Sequence, residues 1–135
     1  MQINLKTKIT GALLLFIFFG ISAFEPTKVS REFRNLQVLP KDISEKALQK
    51  IMEEECGKGL GVSCNYCHTK DKNSSDLDFA SDAKPEKEIA RSMMRMTMEI
   101  NKKYFGLENP AIGDTLMSIT CKTCHQGDPY PGKKK

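Results

Sequence analysis

The sequence predicts an essentially all-α domain in which a helix, a turn and a short C-x-x-C-H helix are written twice. Three observations carry that prediction. Apolar residues recur at helical spacing, most clearly at Ile43, Ala47, Leu48, Ile51 and Met52, and again at Ile89, Met93, Met96, Ile100 and Tyr104. The motif C-x-x-C-H appears at 64–68 and at 121–125. No segment shows the convincing period-two alternation of a half-buried strand.

The chain begins with MQINLKTKIT, carrying Lys6 and Lys8, followed by the apolar GALLLFIFFGISA. A basic start, an apolar run and small residues at its end form a secretory signal, so residues 1–23 are expected to leave after Ala23 and 24–135 to form the mature domain. A retained anchor is the alternative, but the apolar run 9–24 is short of the ~20 residues a spanning helix needs. The mature chain is therefore expected to be exported to the periplasm, with a membrane surface as its neighbour if the segment stays.

Loss of Lys6 and Lys8 takes the formal charge from +4 to +2, and the rest is mixed in sign apart from Lys133, Lys134 and Lys135. Mixed signs describe a solvated surface rather than a basic stripe, which argues against nucleic acid as a partner. The apolar fraction is 39% before the signal is removed. Small domains bury a limited share of their surface, so this one calls for a further filler of its core.

Within the mature region, "LPKDISEKALQKIMEEEC" predicts the first helix, with Asp42 and Glu45 at capping-box spacing and "GKGLG" (57–61) as its end. CNYCH then starts a short second helix. A polar loop over 69–84 leads to a long helix opening near Pro85, a favourable first helical residue, and broken at Asn109-Pro110. A last short helix runs through Thr120 into CKTCH, and "GDPYPGKKK" is turn and tail.

The two C-x-x-C-H motifs absorb four of the five cysteines and both histidines of the chain. Haem c is attached through two cysteine thioethers, and the histidine that follows supplies the proximal iron ligand. Disulfides or a zinc site could use the same cysteines, but neither requires a histidine directly after each second one. The motifs thus predict two covalent haems, on Cys64, Cys67 and His68 and on Cys121, Cys124 and His125. Two large apolar macrocycles would also fill the small core. Cys56 is left over, as a small buried residue near a helix end or a link between two chains.

Each iron has a sixth position, and both histidines are spent. Methionine thioether is the natural ligand. Met52 lies twelve residues before Cys64, on the apolar face of the first helix. For the second haem the candidates are Met93, Met94, Met96 and Met98, and periodicity does not choose between Met93 and Met96. Met117 is too close to Cys121 to reach round.

From Asn35 to Gly127 the chain resembles the cytochrome c subunit of photosynthetic reaction centres, through "NLQVLPKDIS", "CNYCH", "FASD", "ARSMMRMTMEIN" and "TCKTCHQG". That family carries its methionine ligands on a helix before each attachment helix. The resemblance implies Met52 for the first haem and Met93 for the second, leaving Met94, Met96 and Met98 as packing. The family's full subunit holds four haems, and a histidine it supplies between the long helix and the second motif is missing from "KKYFGLENPAIGDTLMSIT". The expectation is a dihaem electron carrier, alone or as a homodimer, serving redox proteins such as a membrane-bound respiratory complex. It is not expected to be an enzyme. A peroxidase-like haem enzyme or gas sensor, the alternative, needs an open sixth position and an acid-base residue above it.

Overall fold

The computed structural model describes residues 33–132. The signal read over 1–23 lies outside them. Among the described residues no helix is long and apolar enough to cross a membrane.

Helix α1 spans Glu45–Ile51 and passes without a break into a π-helical segment, Met52–Lys58. Its N-cap is Ser44, whose hydroxyl accepts from the Ala47 N–H at 3.2 Å. The capping box read at Asp42 and Glu45 is therefore displaced by two residues. Ile43 N–H instead closes a turn on the Pro40 carbonyl, which places Ser44 at the last non-helical position. Gly61, at φ +68°, ends this helical run.

CNYCH does not start an α-helix. Cys64–Tyr66 forms one 3₁₀ turn, with the His68 N–H bonded to the Cys64 carbonyl at 3.0 Å. The polar loop also differs from expectation, holding a small antiparallel ladder of β1, Thr69–Lys70, and β2, Leu77–Asp78. Thr69 pairs with Asp78 and Lys70 with Leu77. Two-residue strands are too short to show alternation, so the sequence pattern had nothing to display.

Helix α2 spans Pro85–Phe105 and ends at Gly106, whose φ of +70° gives the left-handed C-cap. The helix thus stops three residues before the expected break at Asn109-Pro110. Residues 106–119 form turns rather than a helix, and α3 is confined to Cys121–His125. The overall character is helical with little strand.

The core is small. Leu39, Ile51, Met94, Ile112 and Met117 are the buried apolar residues, with Leu48, Met52, Cys56 and Met98 among those packed around them. The most buried side chain is polar. Asn101, at 0% exposure, donates from Nδ2 to the Thr97 and Ile119 carbonyls and accepts at Oδ1 from the N–H groups of Ser118 and Ile119. This amide stitches the 106–119 segment onto α2, so the backbone there is satisfied without being helical.

The buried face of the long helix lies to one side of its apolar stripe, with Ile100 half-buried between them. Its buried residues are Arg91, Met94, Thr97 and Asn101, whereas Ile89, Met93, Met96 and Tyr104 are exposed by 58%, 40%, 44% and 69%. The reading of Met94 and Met98 as packing agrees with their positions against the core. Met96 is 44% exposed and shares the open face with Met93.

Candidate haem-binding site

The two motifs are joined through the end of the first helical run. Glu55, in the π-helical segment, accepts the Cys121 N–H at 3.2 Å. Gly59 accepts the Gly127 N–H at 2.9 Å. A Cβ on Gly61 would stand 2.1 Å from the Gly127 oxygen, so "GKGLG" and "CHQG" approach backbone to backbone. Across the surface, the Tyr66 hydroxyl donates to that of Tyr130 at 3.3 Å, linking the first motif to the tail.

The second motif forms the short helix α3 itself. Thr120 precedes α3, and its N–H bonds to the Thr123 hydroxyl at 3.0 Å, fixing the first turn between the two cysteines. His125 Nδ1 lies 2.9 Å from the Asp128 carbonyl. A carbonyl only accepts, so Nδ1 carries the proton and Nε2 keeps its lone pair for a metal. Cys124, His125, Gln126, Asp128, Tyr130, Pro131 and Gly132 line an open groove of about 400 Å³ beside it.

The first motif is looser and differently supported. The His68 ring meets Phe79 edge-on at 5.0 Å between centroids. Its Nδ1 is buried without a hydrogen-bond partner. Burial, followed by the charges of Lys87 and Arg91, pushes His68 below its ordinary value. The neutral imidazole is the form that can ligate a metal.

All five cysteines carry free thiols. Burial raises the Cys56 and Cys121 thiols to about 12, with Cys67 adding to the first and Glu55 and Cys56 to the second. Cys56 therefore lies within the electrostatic reach of both motifs, a neighbourhood its position in the sequence does not reveal. Among the described residues no three His, Cys, Asp or Glu side chains gather as a metal-binding group.

The residues present fit a haem in three respects. His125 is held in the ligating tautomer. Met93 and Met96 project from an apolar face that the protein itself leaves uncovered. Met52 sits half-buried at the junction of α1 and the π-helical segment, an irregularity common at functional sites. Phe79 and Leu116, exposed by 62% and 73%, add further apolar surface.

The sequence signal could not have found Asn101 or Lys84, which act at a distance along the chain. Lys84 reaches back from the start of α2, donating from Nζ to the Asn65 carbonyl and, at 3.5 Å, to that of Tyr66, both inside the first motif.

Residues 21–134 match the family model described as photosynthetic reaction centre cytochrome C subunit. A photosynthetic reaction center cytochrome c subunit of Rubrivivax gelatinosus is 35% identical over 68 residues, covering 50% of this chain and 15% of its own. Cytochrome c-554 of Chloroflexus aurantiacus is 32% identical over 95 residues, covering 70% of this chain and 20% of its own. A further reaction center subunit, from Roseobacter denitrificans, is 32% identical over 71 residues, covering 52% and 17%. The matched stretch is thus a fifth or less of these relatives' length. No solved structure matches the chain. With a family match that encloses both C-x-x-C-H motifs and the methionine helix between them, the chain belongs to the photosynthetic reaction centre cytochrome C subunit family.

Proposed function

We propose that the chain is an exported dihaem c-type cytochrome that carries electrons between redox proteins on the periplasmic side of a membrane. The observation that supports it most is helix α2, which turns Arg91, Thr97 and Asn101 inward and leaves Ile89, Met93, Met96 and Tyr104 outward. An exposed apolar, sulfur-bearing helix face is the kind of surface a porphyrin covers. When bound, each haem supplies one-electron storage at its iron. The cysteines of each motif would attach it, and His68, His125 and the proposed methionines Met52 and Met93 would supply its iron ligands. Methionine ligation closes the sixth position, which suits electron transfer rather than ligand chemistry.

The test is to mature the full chain in a host that attaches haem c. The expected product contains two haems per chain by haemochrome assay and shows no spectral change when the reduced form meets carbon monoxide. One haem per chain would overturn the dihaem reading, and a carbon monoxide shift in half the haem would favour the enzyme or sensor alternative.

A further inference from the structure

We propose that Lys84 and Glu55 make the two attachment sites electrostatically unequal, so that the haem on the first motif is the more easily reduced of the two. The inference rests on the dihaem reading above.

The asymmetry begins with fixed charges set on the motif backbones. The Lys84 ammonium is docked on the carbonyls of Asn65 and Tyr66, between Cys64 and Cys67. Among the described residues no carboxylate pairs with it. One turn further along α2, Lys87 donates to the Phe79 carbonyl at 3.0 Å and to that of Ser81 at 2.7 Å, and the Phe79 ring lies against His68. Lys87 and Arg91 are partly offset by Asp82, at 3.1 and 2.9 Å, and Arg91 also by Glu88. At Cys67 the Glu86 carboxylate opposes Lys84, whereas at His68 the cations Lys87, Arg91 and Lys84 face the Asp78 carboxylate.

At the second motif the sign is reversed. The charged group on its backbone is the Glu55 carboxylate, sheltered against the Cys121 N–H. The exposed Lys122 is the cation of that motif, and it stands on the solvent face.

The histidines point the same way, independently of these charges. His125 donates through Nδ1 to the Asp128 carbonyl, which makes the imidazole a stronger donor to an oxidised metal. His68 Nδ1 is buried with no such acceptor. Oxidation adds one positive charge at an iron, so a nearby cation opposes it and a nearby carboxylate or a more basic ligand favours it. At the first motif the cations and the partnerless His68 Nδ1 favour reduction against the carboxylates Glu86 and Asp78, and at the second Glu55 and the His125–Asp128 contact favour oxidation against the solvent-facing Lys122.

The experiment is a potentiometric titration of the matured full chain and three variants, followed by absorbance. Two one-electron waves are expected. Lys84→Gln lowers the higher wave, changing the reduced-to-oxidised ratio at fixed potential about threefold to tenfold, where tenfold corresponds to about 59 mV. Lys84→Arg keeps the charge and leaves both waves in place. Glu55→Gln retains an acceptor for the Cys121 N–H and raises the lower wave. The proposal fails if Lys84→Gln moves the lower wave, if Glu55→Gln moves the higher one, or if neither variant moves anything. Should Lys84→Gln fail to mature, the Glu55→Gln arm decides alone. A haemochrome count below two per chain would instead overturn the dihaem reading, and this inference with it.

Discussion

At the scale of the residue, the two methionines on the open face of α2 are told apart by chemistry rather than by exposure. Met93 and Met96 are exposed to nearly the same degree, 40% and 44%. Under the proposed ligation, Met93→Ala opens the sixth position of the second haem, and half the haem then binds carbon monoxide. Met96→Ala leaves the spectrum unchanged with the gas present. The reverse pattern would assign Met96. Asn101 has no part in ligation and a large part in folding. Its removal leaves the part-buried N–H groups of Ser118 and Ile119 without their side-chain acceptor. Asn101→Ala is expected to cost about 1–3 kcal/mol, the cost of leaving a donor without its partner where water only partly reaches it. Chemical denaturation measures it, and a change below about 1 kcal/mol would show that the 106–119 segment holds itself in place.

At the scale of the element, the contact between "GKGLG" and "CHQG" is a strict backbone approach. Gly61 combines φ +68° with a Cβ position 2.1 Å from the Gly127 oxygen, whereas Gly106, at φ +70°, has nothing within 4 Å. Gly106→Ala should pay for the left-handed conformation alone, about 1–2 kcal/mol. Gly61→Ala must in addition separate the two motifs, so it is expected to lose more stability than Gly106→Ala and to lower haem incorporation. Equal thermal shifts for the two variants would contradict the close approach.

A second element-scale latch is Asp82, which ties the segment before α2 to Arg91 and Lys87. Arg91 foremost, with Lys87, holds the Asp82 carboxyl well below the usual carboxylate range. A depressed pKa stabilises the fold above the unfolded value of about 4, and that contribution is lost as pH falls through the folded value. Asp82→Asn should therefore weaken the protein at pH 7 and progressively less as the pH drops below about 4, read from thermal unfolding at a series of pH values.

These elements also show what could be read in advance. The helical positions of 45–58 and 85–105, the glycine end at Gly61 and both motifs are written in local signals: periodicity, Pro85 and glycine. The caps slipped because Asp42 and Ser44 both offer a capping oxygen, and only the turn on Pro40 decides between them. The orientation of α2 was not legible. An apolar stripe normally faces the protein, and here the polar face is turned inward by Asn101, bonded to Ile119, and by Arg91, whose guanidinium reaches the Asn35 carbonyl. The short β1–β2 ladder and the Lys84 contact depend likewise on tertiary placement.

At the scale of the whole molecule, the small core and the uncovered apolar face are two sides of one arrangement. Five apolar residues are buried among those described, while Phe79, Ile89, Met93, Met96, Tyr104, Phe105, Leu116 and Tyr130 are all well exposed. Burial of apolar surface contributes about 25 cal/mol per Å², so a molecule arranged this way leaves much of its available stabilisation unrealised until something covers that face. A group bound to the native state alone stabilises it, and a covalently attached one cannot dissociate when it does so. Full-length chain produced without haem attachment is thus expected to unfold at a markedly lower temperature than the matured form and to bind a hydrophobic dye that the matured form does not. Cys64→Ser with Cys67→Ser, which removes the first attachment only, should fall between the two in both measurements. If the unattached chain melted at the same temperature and bound no dye, the exposed face of α2 would be stable in water by itself, and the reason for assigning it to a porphyrin would be gone.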